Sequence, residues 1–301
     1  MPPRDPSGVL LVDKPGGMTS HDVVSRARRA LGTRKIGHAG TLDPMATGLL
    51  LLGVGPATRL LTYLVGLDKT YEATIRLGAS TDSDDADGVV TAAADHADVA
   101  SLGRDRIAAS VARLTGSISQ VPSTMSAIKV NGRRAYDLAR AGEEVELRAR
   151  EVVVSRFDVV ATHPSPGHLD LDVIVDCSSG TYIRALARDL GHDLAVGGHL
   201  TALRRTRVGP FAVSDACATE DISASGLLAP ARVAASVLPV LDVDDDHARD
   251  LRHGKRVAGI GARFEGERAA AVDPAGALVG IVERRGAEVK SVMNMPEGLE
   301  G

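Results

Sequence analysis

The apolar positions of the chain recur with two different periods, and each change of period marks an element. Val9 to Val12 form a short apolar run that ends in Lys14-Pro15-Gly16-Gly17, the pattern of a buried strand followed by a turn. Thr19 or Ser20 then offers an N-cap. Val23, Ala27, Ala30 and Leu31 recur at helical spacing, and Gly32 stops the helix. A Gly-rich passage from Gly37 to Gly48 leads into Leu49-Leu50-Leu51-Leu52-Gly53-Val54, predicted as a second buried strand. Residues 57–65 read as helical, and Tyr71 to Leu77 alternate as a strand. Ile107, Val111 and Leu114 predict a helix over 104–114. Leu169, Leu171, Val173 and Val175 alternate with Asp170 and Asp172 as a half-buried strand, and Thr181 to Leu194 return to helical spacing with Arg184 and Arg188.

Two stretches depart from this regularity. From Gln120 to Arg150 the chain is polar, basic and broken, the pattern of a projecting loop or small helical insertion. After Leu238-Pro239 come Asp242, Asp244, Asp245 and Asp246, then short apolar runs between glycines, such as Ala269 to Val272 and Ala277 to Val282. These predict a domain boundary and a small β-rich module. The class is mixed α and β, without internal repeats.

Composition narrows the function classes. The 301 residues suffice for one large core, or a large domain and a small one. No apolar run approaches the roughly 18 residues of a membrane span. The start, Met1-Pro2-Pro3-Arg4-Asp5-Pro6, lacks the apolar segment of a secretory signal. Cys177 and Cys217 form no CxxC, which argues against a disulfide framework and for a reducing cytoplasm. The net charge of −4 argues against a nucleic-acid binder when taken as a sum. Its distribution is less neutral: Arg26, Arg28, Arg29, Arg34 and Lys35 cluster, as do Arg204, Arg205 and Arg207, while Asp82, Asp84, Asp85, Asp87, Asp95 and Asp98 gather elsewhere. A local positive surface and scattered solvated charges both fit this arrangement. The run from Asp82 is not a calcium loop, because its fifth and twelfth positions are Ala86 and Ala93. Nine histidines occur without HExxH or cysteine partners, so no metal is expected.

The densest chemistry lies in Gly37-His38-Ala39-Gly40-Thr41-Leu42-Asp43-Pro44-Met45-Ala46-Thr47-Gly48. Pro44 disfavours helical angles at Asp43, and the glycines permit tight approach. A carboxylate between Leu42 and Pro44, just before a buried run, sits at the rim of a core. A turn cap and a catalytic acid are both open on these residues alone.

This segment resembles the catalytic segment of TruB-type pseudouridine synthases. The resemblance extends to Leu11-Val12-Asp13-Lys14-Pro15-x-Gly17-Met18-Thr19-Ser20, to Gly53-x-Gly55-x-Ala57-Thr58-Arg59, to Lys69-x-Tyr71 and to Asp82-x-x-Asp85-Ala86-Asp87-Gly88. Gln120-Val121-Pro122 through Lys129, with Ala135-Tyr136-x-Leu138-Ala139-Arg140-x-Gly142, resembles that family's RNA-gripping thumb. Cys177-Ser178-x-Gly180-Thr181-Tyr182-Ile183-Arg184 and Leu200-x-x-Leu203-Arg204-Arg205 follow in order. Met125 stands in the thumb where relatives often carry an aromatic residue.

The resemblance implies an α+β fold: a mixed, mainly antiparallel central sheet with flanking helices and a thumb insertion at about 120–150, over residues 1–238. A small β-rich, PUA-like RNA-binding module would occupy 239–301. It implies Asp43 as the catalytic aspartate, Tyr71 as the residue that stacks on the flipped uracil, and Arg184 as the partner of the carboxylate. His38 and Leu203 would support the extruded bases and wall the pocket. Tyr182, Lys14, Pro15, Lys69, Arg59 and Asp85 would give further pocket or RNA contacts. The implied reaction converts uridine 55 in the T loop of tRNA to pseudouridine without a cofactor. The expected partner is the T-arm stem-loop, and the expected state is a cytoplasmic monomer that needs no protein partner and no membrane.

Overall fold

The computed structural model describes residues 6–125, 129–130, 133–134 and 147–297, the two short pairs by their backbone only. Most of the expected thumb, including the Ala135–Gly142 motif, lies outside the described residues, as do Met1 to Asp5. The chain divides into two compact units, one built from residues up to Pro44, Gly48–Gly66 and the chain from Val208 onward, the other from Met45–Thr47 and Leu67–Arg207.

In the first unit, strand β1 (Gly8–Lys14) and helix α1 (Ser20–Leu31) meet at the predicted turn. Thr19 caps α1: its hydroxyl accepts from the Asp22 N–H at 3.1 Å, while the Asp22 carboxylate accepts from the Thr19 N–H at 2.9 Å. Gly32 closes the helix in the left-handed conformation. The helix buries Ser20, Val23, Val24 and Ala27, whereas Ala30, expected on the apolar face, is exposed. Strand β2 (Ile36–Ala39) is only four residues long, too short for periodicity to mark it. It pairs antiparallel with β3 (Thr47–Val54), whose other edge pairs antiparallel with β1. All but the first residue of β3 are buried, which explains why its sequence is continuously apolar. A short strand, Cys217–Ala218, joins β1 in parallel. Leu10, Val12, Val23, Val24, Ala27, Leu50 and Leu52 form the core beneath these elements.

The same unit carries a separate five-stranded sheet of Val240–Asp242, Arg268–Val272, Leu278–Arg285, Glu288–Asn294 and Arg256–Ala258, in that order. It has its own apolar core, which includes Leu241, Leu251, Phe264, Val279 and Val289. The Ala269–Val272 and Ala277–Val282 runs are thus strands, as their pattern predicts.

In the second unit, strand β4 (Lys69–Leu77) pairs antiparallel with His168–Cys177, which pairs antiparallel with the long strand Arg150–Ser165, which in turn pairs with Gly116–Gln120. The strand Gly198–Val208 lies on the other side of β4. Helices Arg104–Arg113 and Ile183–Asp193 belong to the same unit. Antiparallel pairing dominates, and the class is the mixed one expected.

Candidate active site

Asp43 lies in an irregular segment between β2 and β3, and its neighbours are fixed by the turn after β1. Ser20, the first residue of α1, bonds Leu42 twice: its hydroxyl accepts from the Leu42 N–H at 2.9 Å and donates to the Leu42 carbonyl at 3.2 Å. On the other side, the Pro44 carbonyl accepts from the Gly17 N–H at 2.8 Å and from the Lys14 ammonium at 3.3 Å. Lys14 is fully buried and also donates to the carbonyls of Pro15 at 2.9 Å and Met18 at 2.7 Å. A buried ammonium is tolerable only with such partners, so Lys14 serves the backbone of this turn. Leu42 and Ala46 are buried and Asp43 is half-buried, so the carboxylate is held at the rim of a core. Gly40 bends the approach with φ of 84°, a conformation that a side chain would strain.

His38 sits on β2 opposite Leu52 and packs its ring edge against His21, with centroids 5.6 Å apart. Pro15 borders the turn that Lys14 gathers. Arg59 is exposed and donates to the Asn294 carbonyl, which ties it to the C-terminal sheet of its own unit.

The second unit gathers the remaining expected residues. Arg184 is buried in the first turn of its helix, and its planar fork reaches several acceptors. It donates to the Ser83 carbonyl at 2.8 Å, the Met125 carbonyl at 2.8 Å and the Ser123 hydroxyl at 3.2 Å, with the Asp85 carboxylate 3.4 Å away. Asp85 is itself buried and accepts from the Ser83 hydroxyl at 2.6 Å and the Asp87 N–H at 3.1 Å. Tyr182 exchanges two bonds with Gln120, its N–H donating at 2.9 Å and its carbonyl accepting at 3.1 Å. The start of the 120–150 stretch is therefore fastened by the Tyr182–Arg184 segment. Arg188 adds a bond to the Val121 carbonyl at 2.7 Å and an ion pair with Asp84 at 3.3 Å. Burial pushes the Asp84 carboxyl above the usual carboxylate range, against the pull of Arg188.

Lys69 and Tyr71 occupy alternate buried positions of β4, opposite Cys177 and Val175, and so share one face. Burial, with Arg205 as the next cause, lowers the Lys69 ammonium to about 8. Burial likewise raises the Cys177 thiol to about 11, which leaves it inert. Leu203 is buried on the strand Gly198–Val208, and its carbonyl accepts from the Thr47 hydroxyl at 3.5 Å.

Burial settles two points that charge alone leaves open. Arg205 is not part of a positive surface: it is only 1% exposed, among the largest fully buried side chains. Strand alternation sends it to the opposite face from Arg204 and puts it inside. The acidic run is not uniformly solvated either, since Asp84 and Asp85 are buried by their bonds to Arg188 and Arg184. The bracing roles of Ser20, Ser83 and Ser123 escape a reading of the sequence, because a serine that braces a distant backbone leaves no periodic signal. Among the described residues no cluster of His, Cys, Asp and Glu is arranged to hold a metal ion.

Comparison with known proteins gives the setting of these residues. The TruB family pseudouridylate synthase N-terminal domain matches residues 28–183. A tRNA pseudouridylate synthase B C-terminal domain matches 184–241, and a tRNA pseudouridine synthase II C-terminal domain matches 238–296. Relatives named tRNA pseudouridine synthase B include one from Leifsonia xyli, 54% identical over 96% of this chain and 97% of its own length. Another, from Cutibacterium acnes, is 57% identical over 84% of this chain and 85% of its own. A solved Cbf5–Nop10–Gar1 complex contains a chain 25% identical, with a TM-score of 0.70 over 97% of this chain and 84% of that one. A chain of an H/ACA RNP bound to a substrate RNA shares the fold at 22% identity, with a TM-score of 0.71 over 98% of this chain and 87% of that one. The chain belongs to the TruB family of pseudouridylate synthases.

Proposed function

We propose that this enzyme converts the uridine at position 55 of the tRNA T loop to pseudouridine, with Asp43 as the catalytic carboxylate. Uridine isomerisation in tRNA follows from the family, and the position and the residue roles are our reading. The reaction breaks the N1–C1′ bond, turns the uracil and joins C5 to C1′. The proton on C5 is lost and N1 gains one, so no electrons or groups are imported and the atoms balance without a cofactor. Positive charge develops at the sugar as the glycosidic bond breaks, and a carboxylate suits that change, as in glycoside hydrolysis. The reacting atoms are hidden in a stacked loop, so the nucleotide must be flipped out.

The observation that carries the proposal is the bracing of Leu42 and Pro44, which fixes Asp43 between them through bonds of 2.9 and 2.8 Å. A carboxylate that merely capped a turn has no need of such support. In this reading Arg184 holds the carboxylate ionised, and Tyr71 stacks on the uracil near the C5 proton. His38 and Leu203 line the pocket. Lys14, Pro15, Lys69, Arg59, Asp85 and Tyr182 support it or contact RNA. Residues 239–301 act as the PUA-like RNA-binding module. The enzyme works as a cytoplasmic monomer without a protein partner, and no helix among the described residues is long and apolar enough to cross a membrane.

The test is tritium release from [5-³H]uridine-labelled T-arm stem-loops, with and without cytidine in place of uridine 55. Release that disappears with the replacement supports the assignment. Release that persists, or appears only with another RNA, refutes it.

A further inference from the structure

We infer that Ser20 is a positioning residue for the reaction: its hydroxyl holds the backbone of Leu42 so that the next residue, Asp43, presents its carboxylate in a fixed direction. The inference rests on the reading of Asp43 as the catalytic carboxylate.

Ser20 is 1% exposed, and its hydroxyl uses both of its capacities on one residue 22 positions away, accepting from the Leu42 N–H at 2.9 Å and donating to the Leu42 carbonyl at 3.2 Å. A side chain that holds both polar groups of one residue stands in for a strand partner, and it fixes both the position and the roll of that backbone. Leu42 is also anchored through its side chain, which is 3% exposed. The far side of Asp43 is held by the Gly17 N–H and the Lys14 ammonium on the Pro44 carbonyl. The two bonds from Ser20 and these two therefore bracket a single residue. Ser20 needs neither of its bonds to begin α1, because Thr19 supplies the cap with its own hydroxyl. The hydroxyl of Ser20 is thus free of helix duty and committed to the loop.

Holding a catalytic group within about 1 Å of its working geometry is worth up to about a hundredfold in rate. Loss of the Ser20 hydroxyl is therefore expected to slow the chemical step while RNA affinity stays unchanged, since Ser20 is buried and offers almost no surface for RNA to touch. A general structural role would instead reduce binding, rate and thermal midpoint together.

The experiment compares single-turnover tritium release and RNA affinity for Ser20→Ala, Ser20→Cys and Ser20→Thr, with Asp43→Asn alongside. Ser20→Cys fills the space and folds readily, yet its thiol is a weak donor and acceptor. Ser20→Ala and Ser20→Cys should each lose about tenfold or more in the single-turnover rate at an unchanged dissociation constant, and Ser20→Thr should recover most of it. If Ser20→Ala does not fold, Ser20→Cys decides. A wild-type rate for Ser20→Cys, or loss of RNA affinity in step with rate, overturns the positioning role. Should Asp43→Asn keep its activity, the reading of Asp43 itself fails, which is a separate result from active Ser20 variants beside an inactive Asp43→Asn.

Discussion

Arg184 reaches three backbone or hydroxyl oxygens and the Asp85 carboxylate from one buried guanidinium, and a lysine ammonium cannot span that set. Arg184→Lys should therefore lower the single-turnover rate by about a hundredfold, because the loop at Ser83 and the segment at Met125 lose their common anchor. A rate within about threefold of wild type would remove Arg184 from the site. Lys69 offers a test in pH. Its folded value of about 8 lies below the ordinary 10.5, so the unfolded chain binds more protons between those values and stability rises with pH across that window. Below pH 8 the full cost of the buried ammonium applies, about 3 kcal/mol on this shift. Lys69→Met should be the more stable protein at pH 7, with the difference shrinking toward pH 10, as read by thermal melts. A constant difference would refute it. At this scale the Asp43 loop and the Lys14 turn are legible in the sequence because each is a short contiguous motif. The bonds from Ser20 to Leu42 and from Arg184 to Ser83 and Ser123 are not, since they join residues 22, 101 and 61 positions apart. Arg205 misleads because three arginines in four residues read as surface until the strand sends one of them inside.

Elements with an unbroken period are legible in the sequence, and those with interruptions are not. Helix α1 carries a capping box, a helical apolar stripe and a terminal glycine, and its observed span agrees with all three. The strand His168–Cys177 keeps an unbroken alternation of burial from Asp170 to Cys177. By contrast, Arg150–Ser165 contains register shifts at Val154/Arg156 and Val159/Ala161, so its inward positions change phase and the pattern is hidden. Gly198–Val208 carries Thr201, Arg204, Arg205, Thr206 and Arg207, whose polar groups are paired only once neighbouring residues are in place. The segment 57–65 is helical as expected, but as a 3₁₀ stretch, Gly55–Leu60, followed by one α-turn, Leu61–Leu64. The helix Ile183–Asp193 meets the start of Gly198–Val208 through close backbone approach at Gly191. A methyl there would lie 2.1 Å from the Gly198 nitrogen and 2.2 Å from the Gly197 carbonyl carbon. Gly191→Ala should cost about 2–3 kcal/mol or more, because neither neighbour is a side chain that can swing aside. Urea denaturation measures it, and a change under about 0.5 kcal/mol would contradict the packing.

On the scale of the whole molecule, an acidic protein must still hold a polyanion. Arg28, Arg29, Arg34 and Lys35 are exposed around the end of α1, whereas many other exposed cations, such as Arg113, Arg156 and Lys255, are paired with carboxylates. Neutralising Arg29, Arg34 and Lys35 together should weaken tRNA binding and reduce the salt dependence of affinity by about one unit of slope for each phosphate that is no longer neutralised. An equal effect on neutralising Arg113, Arg156 and Lys255 would mean that only net charge matters. The family, the fold and the braced loop meet in one claim, that a single carboxylate on this scaffold makes uridine reactive. Single-turnover tritium release from [5-³H]uridine-labelled unmodified T-arm RNA, comparing wild type with Asp43→Asn, tests it most directly. Release by the wild type and none by Asp43→Asn, with RNA binding retained in both, is the expected result. Release by Asp43→Asn at a comparable rate would contradict it.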